Sequence, residues 1–241
     1  MSNIQVLKRD GTTEELNLEK VHKMVEFACE GLAGVSSSQV EIQSGLQFCE
    51  GITSNDIQEI LIRSASDLIT EDHPNYQYVA ARLLLFGLRK AVHGHPEILP
   101  PLLEHVKGCI DKGVYDSTIV NRYSEEEWDR INSFVEHERD YLFTYAGLRQ
   151  VVDKYLVQDR STGEHYESPQ QMYIMISATL FANYPTETRL DYVRRYYNAI
   201  STHKINIPTP IMGGVRTPIR QFASCVLVDI DDTLDSIFSS D

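Results

Sequence analysis

One stretch of the sequence, HPNYQYVAARLLLFGLRK from His73 to Lys90, places apolar residues on nearly every face of a predicted helix. Its proline lies in the first turn, where a missing backbone N–H is tolerated, and Arg89 and Lys90 suit the negative carboxyl end. A helix without a polar face must be covered on all sides, because exposure would leave apolar surface in water. We therefore expect this helix at the centre of a small domain.

The residues before this helix predict a hairpin and two amphipathic helices. The dipeptide DG at 10–11 joins two short extended pieces and suits a tight turn, because both residues tolerate positive φ. One helix is expected from Leu18, where apolar residues recur at spacings of three and four. The tripeptide SND at 54–56 offers an amino-terminal cap for the other helix, which has the same periodicity.

The sequence after the central helix predicts a boundary and a second, mainly helical region. Glycine and prolines interrupt the periodicity between Ala91 and Pro101. CVLVDI, Cys225 to Ile230, has the β-branched content of a buried strand. The other expected elements are helices at 102–111, 124–140, 148–155, 170–182 and 186–201 and a hairpin at 157–168. The fold class is therefore α+β and mostly helical.

Composition describes a folded, acidic protein. Hydrophobic residues make up 42% of the 241 residues, and no apolar run approaches the roughly 20 residues that span a bilayer. A net charge of −13 repels a nucleic-acid backbone over most of the surface. The first residues, MSNIQVLKRDGTTEEL, lack the pattern of a secretory signal. We therefore expect a cytoplasmic protein with neither a membrane nor a nucleic acid as partner.

The cysteines and histidines show no spacing typical of a metal site. The four cysteines form no C-x-x-C pair, which excludes a zinc ribbon, and no histidine has a thiol or carboxylate partner at ligand spacing. No metal is expected in this chain. Cys29, Cys49 and Cys109 lie at apolar helical positions and are expected to behave as small hydrophobic residues.

Two cationic pairs are candidates for a phosphate-binding pocket. Lys8 and Arg9 lie beside the predicted turn, and Arg89 and Lys90 end the central helix. Ammonium and guanidinium groups hold phosphate oxygens well, so the four side chains suit a triphosphate. The alternative is that all four are solvated surface charges, and the charge pattern alone favours this alternative.

The stretch PTPIMGGVRTPIRQFASC, Pro208 to Cys225, ends on a thiol beside a hydroxyl. Its prolines stiffen the chain, and Gly213 and Gly214 permit close approach of a ligand to the backbone, as in loops that hold small polar molecules. The pattern also fits a buried core thiol at a strand start, which is the commoner case. No histidine lies nearby to activate Cys225, so acyl-transfer chemistry is poorly supported.

Four segments of the chain carry a resemblance that periodicity does not reveal. They read KRDGTTEELNLEKVHK, DHPNYQYVAARLLLFGLRK, INIPTPIMGGVRTP and RQFASCVLVDIDDTLDSI. In this order they resemble signatures of the large (α) subunit of class I aerobic ribonucleoside-diphosphate reductase, beginning with its ATP-cone domain. PTPIM and RQF-x-SC are highly specific strings, whereas KRDG alone is weak. The similarity runs from Lys8 to Ile237 without a large gap.

The resemblance implies a part in reducing ribonucleoside diphosphates to deoxyribonucleoside diphosphates. In the family, a radical from a separate small (beta) subunit creates a thiyl radical in the large-subunit barrel, and two other cysteines reduce the substrate and become a disulfide. Cys225 matches the first cysteine of that pair, whose partner would lie outside this chain. Thr209 and Ser224 match substrate-contacting positions. Thioredoxin or glutaredoxin is implied as the external reductant.

The resemblance also implies two sites for ATP and deoxynucleoside triphosphate effectors. Asp232, Thr233 and Leu234 match the start of the specificity site, which selects the base to be reduced. The ATP-cone positions that match effector contacts are Lys8, Glu14, Glu15, Leu16, Asn17, Leu18, Glu19, Lys20, Ser54 and Lys90. Relatives that dATP switches off often carry histidines where this chain has Gln58 and Gly87. We therefore expect weak binding of ATP or dATP, or incomplete inhibition by dATP.

By the same resemblance the chain has three parts and is not a complete enzyme. Residues 1–92 are expected to form the ATP-cone, 93–207 a helical region, and 208–241 the start of the catalytic α/β barrel. The family's radical cysteine and second redox cysteine lie beyond the last residue, so we expect the chain alone to be inactive, whether it is truncated or one piece of a split subunit. The implied partners are a second polypeptide that completes the large subunit, the radical-generating small subunit with its metal, and further copies in a homo-oligomer.

Two other functions are weighed against this interpretation. A non-catalytic module that senses ATP and dATP would use the ATP-cone alone, but a cone-containing repressor is expected to carry paired C-x-x-C motifs. Neither this module nor a helical interaction protein requires PTPIM or RQFASC. The reductase interpretation is therefore preferred.

Overall fold

The structure is a computed structural model that describes residues 4–8, 11–45 and 47–240. A two-stranded antiparallel hairpin precedes a series of helices within these residues. The elements are β1 (Gln5–Leu7), β2 (Thr13–Glu15), α1 (Leu18–Cys29), α2 (Ser37–Gly45), α3 (Ser54–Asp67), α4 (Tyr76–His93), α5 (Leu102–Asp111), α6 (Glu125–Asn132), α7 (Tyr145–Lys154), α8 (Pro169–Phe181), α9 (Thr186–Ser201), α10 (Thr209–Gly214) and α11 (Leu234–Ser240). Short 3-10 turns occupy Val120–Arg122 and His137–Leu142.

The amino-terminal hairpin is confirmed. Val6 pairs with Glu14 in the register of β1 and β2, and Gly11 in the turn has a φ of 81°, which glycine adopts without strain. Asp10 lies outside the described residues. The backbone N–H of Leu7 donates to the carbonyl of Ile52 at 2.9 Å, which attaches β1 to the loop before α3.

Helix α4 is the central helix that the apolar pattern predicts. It packs against α1 and α3 on one side and against α7 on another, and Val79, Leu83 and Leu85 are fully enclosed. Its bounds differ from the predicted ones. The helix starts after Pro74, which lies in a turn, and extends to His93, because Gly94 adopts the left-handed conformation that ends a helix.

Amino-terminal caps explain where several helices begin. Thr53 caps α3: its Oγ1 accepts the Asp56 N–H at 3.0 Å, while its own N–H donates to the Asp56 carboxylate at 3.3 Å. The prediction that residues 54–56 supply the cap is therefore wrong by one residue. Ser124 caps α6 in the same way, and the Asn17 side chain caps α1 by accepting the Lys20 N–H at 3.0 Å.

The structure changes two predicted elements and adds a helix that was not predicted. The helix expected at 124–140 divides after α6, where Asn132 Oδ1 accepts the Leu102 N–H at 2.9 Å and the Glu136 N–H donates to the Tyr197 hydroxyl at 2.9 Å. The hairpin expected at 157–168 is reduced to one bridge between Gln158 and His165. Helix α2 lacks a strong apolar periodicity and escaped prediction.

A buried network joins α4 to the helices that follow it. Arg89 Nη2 donates to Asp140 Oδ2 at 2.7 Å, and Gln170 Nε2 donates to the other Asp140 oxygen at 2.9 Å. The Tyr197 hydroxyl donates to Gln170 Oε1 at 2.6 Å. Burial raises the pKa of Asp140, and the Arg89 guanidinium opposes that rise. Arg89 therefore has a structural partner and does not contribute to the cationic pocket proposed from its charge.

None of the helices within residues 4–8, 11–45 and 47–240 is long and apolar enough to cross a membrane. Cys49 also differs from its prediction, since it lies exposed in the loop between α2 and α3 and not on an apolar helical face.

Candidate functional site

A cavity of about 530 Å³ opens between the hairpin, α1, α3, α4 and the loop after α4. We call it the hairpin cavity. Its lining residues are Val6, Lys8, Glu14, Leu16, Asn17, Lys20, Val21, Lys23, Met24, Phe27, Ser54, Ile57, Gln58, Phe86, Lys90, Gly94, His95, Pro96 and Glu97. The wall combines an apolar floor with a charged rim, which is the composition typical of small-molecule sites.

The charged rim is predominantly cationic. Lys8, Lys20, Lys23 and Lys90 line the cavity, against the carboxylates of Glu14 and Glu97. Lys8 Nζ lies 2.6 Å from Glu14 Oε1, and Lys20 Nζ lies 3.2 Å from the same oxygen. Hydrogen bonds from Lys8 and Lys20 lower the pKa of Glu14, so this carboxylate is held charged between two ammonium groups.

The apolar floor is built from α1 and α4. The rings of Phe27 and Phe86 approach to 6.1 Å between centroids at an angle of 56°. Met24 and Ile57 complete the apolar surface next to them. A flat aromatic or heteroaromatic ring suits such a wall, because aromatic faces and edges attract one another at these separations.

The structure brings most of the predicted ATP-cone residues to this cavity. Lining positions include Lys8, Glu14, Leu16, Asn17, Lys20, Ser54 and Lys90. Three others lie outside the lining: Glu15 and Leu18 are exposed, and Glu19 pairs with Lys23 at 2.8 Å. Arg9 lies outside the described residues. The sequence interpretation therefore located the cavity but not every side chain in its wall.

Sequence reasoning missed the loop that follows α4. Gly94, with a φ of 75°, turns the chain back so that His95, Pro96 and Glu97 reach the cavity. His95 Nδ1 accepts the backbone N–H groups of Glu97 and Ile98 at 3.1 and 3.0 Å, which holds this loop in shape. The glycine after a cationic helix end was the available signal, since it marks a left-handed cap that reverses the chain.

Gln58 and Gly87 are direct neighbours across α3 and α4. Gln58 Nε2 donates to the Leu83 carbonyl at 2.8 Å, and its side chain passes over Gly87. A Cβ atom on Gly87 would lie 3.0 Å from Gln58 Cγ, which is closer than carbon atoms normally approach. The two residues pack as one unit, and Gln58 is the member that lines the cavity.

The second candidate site, residues 208–240, is called here the carboxyl-terminal segment. Thr209 begins the short helix α10, where a loop was expected, and its side chain is exposed. Ser224 and Cys225 are also exposed. Residues 225–230 form no strand with any described part of the chain, so the strand prediction is wrong here. A β-strand needs a neighbouring strand with which its backbone can form hydrogen bonds. These residues have no such neighbour in the described chain, and the side chain of Leu227 is fully exposed.

Residues of the expected specificity site lie near the end of this segment. Thr233 Oγ1 accepts the Ser236 N–H at 3.2 Å at the start of α11. Asp232 and Leu234 are exposed beside it. These three residues are adjacent, but the described chain places no wall opposite them.

The thiols of Cys29 and Cys109 do not resemble reactive groups. Burial raises the pKa of the Cys29 thiol to about 11 and that of Cys109 to about 12, which keeps both protonated. Within the described residues, no cluster of three or more histidine, cysteine or acidic side chains is arranged to hold a metal ion.

Comparison with known protein families places two domains on the chain. Residues 4–91 match the ATP cone domain. Residues 141–220 match the ribonucleotide reductase all-alpha domain. The first match contains all but the last few lining residues of the hairpin cavity, and the second ends just before the exposed part of the carboxyl-terminal segment.

Whole-chain relatives agree with these matches. The chain is 54% identical over 235 residues to the ribonucleoside-diphosphate reductase subunit alpha of Haemophilus influenzae and 53% identical to reductase 1 subunit alpha of Escherichia coli. It is 42% identical over 239 residues to subunit alpha of Enterobacteria phage T4. Each alignment covers 98% of this chain but only 31% of the relative. The resemblance in the sequence motifs is thus confirmed: the chain is homologous to the amino-terminal part of the ribonucleoside-diphosphate reductase alpha subunit.

Proposed function

We propose that the hairpin cavity binds ATP or dATP as an allosteric effector. The observation that carries this proposal is the conjunction of a cationic rim with an aromatic floor inside the region that matches the ATP cone domain. Lysine ammonium groups suit the triphosphate, and Phe27 and Phe86 suit the base. Their places in this wall support the proposed effector-contact roles of Lys8, Glu14, Leu16, Asn17, Lys20, Ser54 and Lys90.

A direct titration of the chain tests this proposal. We expect calorimetry to detect ATP, and Lys8→Met to weaken binding about tenfold or more, because an ammonium–phosphate contact of about 1.5–3 kcal/mol is removed. Lys107→Met, on an exposed face of α5, is the matched control and should bind as the parent does. Equal affinity of all three proteins would contradict the proposed cavity.

We further propose that dATP regulates this reductase incompletely. The Gln58 amide is held by its hydrogen bond to the Leu83 carbonyl, and Gly87 has no side chain, so neither position supplies the imidazole donor found in relatives that dATP switches off. We expect a complete reductase containing this chain to retain activity in micromolar dATP. Strong inhibition under those conditions would refute this expectation.

The catalytic part of the proposal concerns the carboxyl-terminal segment. Cys225 is proposed as one of two thiols that reduce a ribonucleoside diphosphate: the 2′ carbon gains hydrogen and its hydroxyl leaves as water. The two thiols become a disulfide, which thioredoxin or glutaredoxin then reduces. Thr209 and Ser224 are proposed substrate contacts, and Asp232, Thr233 and Leu234 belong to the proposed specificity site.

The exposed apolar surface of this segment supports a partner. Val226, Val228, Ile230 and Phe238 are all at least about half exposed, and Leu227 is fully so. The relatives are about three times as long as this chain, so we propose that the remainder of a large subunit covers these residues. In the completed subunit, the catalytic barrel would begin at residue 208. We propose that this subunit acts in the cytoplasm as a homo-oligomer and receives its radical from a separate small subunit. A nucleotide-sensing module alone would leave this surface unexplained.

The test of the catalytic part is Cys225→Ser in the assembled reductase. We expect the variant to assemble and bind ATP normally but to lose sustained turnover with thioredoxin or glutaredoxin. Ser224→Gly serves as a comparison, because it should raise KM for the diphosphate and leave the redox chemistry in place. Undiminished multiple turnover by Cys225→Ser would remove this thiol from the mechanism.

A further inference from the structure

The 3-10 turn His137–Leu142 brings one residue from beyond the ATP-cone against the back of the hairpin cavity. This residue is Tyr141, which follows Asp140 of the buried network and lies outside the region that matches the ATP cone domain. Its side chain is half-buried, and it is not one of the residues that line the cavity. Any influence of Tyr141 on a bound ligand must therefore act through a residue that does line the cavity.

The Tyr141 ring contacts Phe27, one of the two aromatic residues in the cavity floor. The two ring centroids are 6.2 Å apart and the ring planes meet at 69°, which is the edge-to-face arrangement that aromatic pairs favour. Phe27, Phe86 and Tyr141 border one narrow gap together with Pro96 of the loop after α4. The floor therefore consists of two rings from the ATP-cone, and a third ring from outside the ATP-cone supports one of them.

Tyr141 also supports the end of α1 through an arginine. The guanidinium carbons of Arg82 and Arg89 lie over the Tyr141 ring, 5.6 and 5.7 Å from its centroid, which is within the range of a cation–π contact. Arg82 Nη1 donates to the carbonyl of Glu30 at 2.6 Å, where α1 ends. The aromatic ring of Tyr141 makes all of these contacts, so a phenylalanine at this position can keep them.

We propose that Tyr141 is a positioning residue for the base of the nucleotide in the hairpin cavity. This inference rests on the proposed binding of ATP, and it adds that the site is completed by a residue from outside the ATP-cone. A floor ring that is already held in one rotamer loses little freedom when a ligand binds, whereas a ring released along one edge must be ordered by the ligand. Loss of the Tyr141 ring should therefore weaken the contact with the base and leave the phosphate contacts of Lys8 and Lys20 in place.

Calorimetric titration of the chain with ATP and with inorganic tripolyphosphate tests this role. Tyr141→Ala should weaken ATP binding about two- to tenfold, the range that one aromatic pair contributes, and should leave the affinity for tripolyphosphate unchanged. Tyr141→Phe keeps the ring and should bind both ligands as the parent does. Lys8→Met should instead weaken the binding of both ligands, because it removes a cation from the phosphate-binding rim.

Tyr192→Ala is the matched control. Tyr192 lies on α9 and is also partly exposed, its ring centroid is 5.6 Å from that of Phe181, and the guanidinium carbon of Arg195 lies over the ring at 5.9 Å. The control therefore loses the same kinds of contact away from the cavity and should bind ATP as the parent does. The number of ATP molecules bound per chain should be the same in all variants, which separates lower affinity from a loss of folded protein.

The outcomes distinguish this inference from the proposed function. A parent chain that binds no ATP would refute both. A parent chain that binds ATP with the same affinity as Tyr141→Ala would overturn the positioning role alone. The role would also be overturned by an equal loss of ATP and tripolyphosphate binding in Tyr141→Ala, or by a Tyr141→Phe variant as weak as Tyr141→Ala. If the parent binds ATP but not tripolyphosphate, the comparison of the alanine and phenylalanine variants with ATP decides.

Discussion

The hairpin cavity and the carboxyl-terminal segment differ in how much of each site this chain supplies. The cavity has a floor, a rim and a closing loop, all from residues between Val6 and Glu97. The segment presents Thr209, Ser224 and Cys225 with exposed side chains and without an opposite wall in the described chain. A site made from consecutive elements can assemble locally, whereas a site on a strand requires the neighbouring strands.

The same difference is visible in burial. The hairpin is held by hydrogen bonds to the loop before α3, and α4 is enclosed by helices on several sides. Beyond Arg220 the segment has no comparable cover, and its apolar side chains face solvent. Helices α5 to α9, called here the helical body, lie between the two regions in the chain, and the two regions are expected to depend on this body to different degrees.

The largest effect is expected from Arg89→Met, which breaks the joint between α4 and the helical body. This change leaves the Asp140 carboxylate buried without its cation, and the free energy of unfolding should fall by about 3–5 kcal/mol. Urea denaturation measures this loss. The control Arg63→Met, on an exposed face of α3, should change stability by less than about 0.5 kcal/mol. Similar values for both variants would show that the joint does not stabilise the fold.

A smaller effect is expected from pH, through His93 at the end of α4 and through His105 and His137 in the helical body. Burial lowers the pKa of His93, His105 and His137 to about 4, whereas a solvent-exposed histidine has a pKa of 6.5. The unfolded chain therefore binds more protons than the folded chain between these values, and stability should fall as pH drops from 6.5 toward 4. The slope should approach about 1.4 kcal/mol per pH unit for each histidine that stays neutral in the fold.

Two variants identify the source of this slope. His105→Asn should flatten the dependence of the urea midpoint on pH, whatever its effect on stability at pH 7. His22→Asn is the control, because His22 is exposed and its pKa is raised by hydrogen bonding to Glu41, so it cannot contribute a loss of this sign. An unchanged slope in His105→Asn would assign the pH dependence to other groups such as His93 and His137. Asp140 cannot supply it, because its raised pKa gives a contribution of the opposite sign.

A still smaller change in stability is expected at the cavity wall from Gly87→Ala. Alanine favours the helix by about 1 kcal/mol, and the displaced Gln58 side chain loses its bond to Leu83, which costs a similar amount. Stability should change by less than about 1 kcal/mol, while ATP affinity falls several-fold because Gln58 moves into the cavity. The double variant Gln58→Ala with Gly87→Ala should recover ATP affinity in a calorimetric titration. If affinity is not recovered, the effect of Gly87→Ala does not act through the Gln58 side chain.

The smallest effect on the isolated chain is expected from Leu227→Asp. The Leu227 side chain is fully exposed, so the free energy of unfolding should change by less than about 0.5 kcal/mol. Association with the remainder of a large subunit should nevertheless be lost, because a carboxylate would be buried without a partner. Asp229→Asn, in the same segment, is the control for pull-down and turnover assays. Normal assembly of Leu227→Asp would place the docking surface elsewhere.

Local patterns predicted much of the fold. The bounds of α5 and α9 agree with the sequence expectation, and the apolar pattern of α4 correctly indicated a central helix. These elements depend on periodicity, caps and helix-ending residues that lie within a few positions of each other. The helix expected at 124–140 failed because Asn132 and the Glu136 N–H find partners far along the chain.

The candidate site shows the same limit. The motifs placed Lys8 and Lys90 together, whereas the charge pattern also grouped Arg89 with them, and only the contact with Asp140 shows that Arg89 turns away. Gly94 was an available signal for the loop at His95, but the packing of Gln58 over Gly87 was invisible in the sequence. Neighbours of this kind are separated by tens of residues, so no local pattern specifies them.

The sequence by itself determined the helical register, the hairpin and the motifs that carry the homology, because each depends on short-range spacing. Only the tertiary structure decided which lysines share a cavity and which charged side chains form ion pairs in the core. It also decided that the chain leaves the helical body near Arg216 and Arg220. It also decided that Cys225 begins no strand within the described chain. Burial and strand pairing require partners distant in sequence, and β-propensity without a partner leaves a strand unformed.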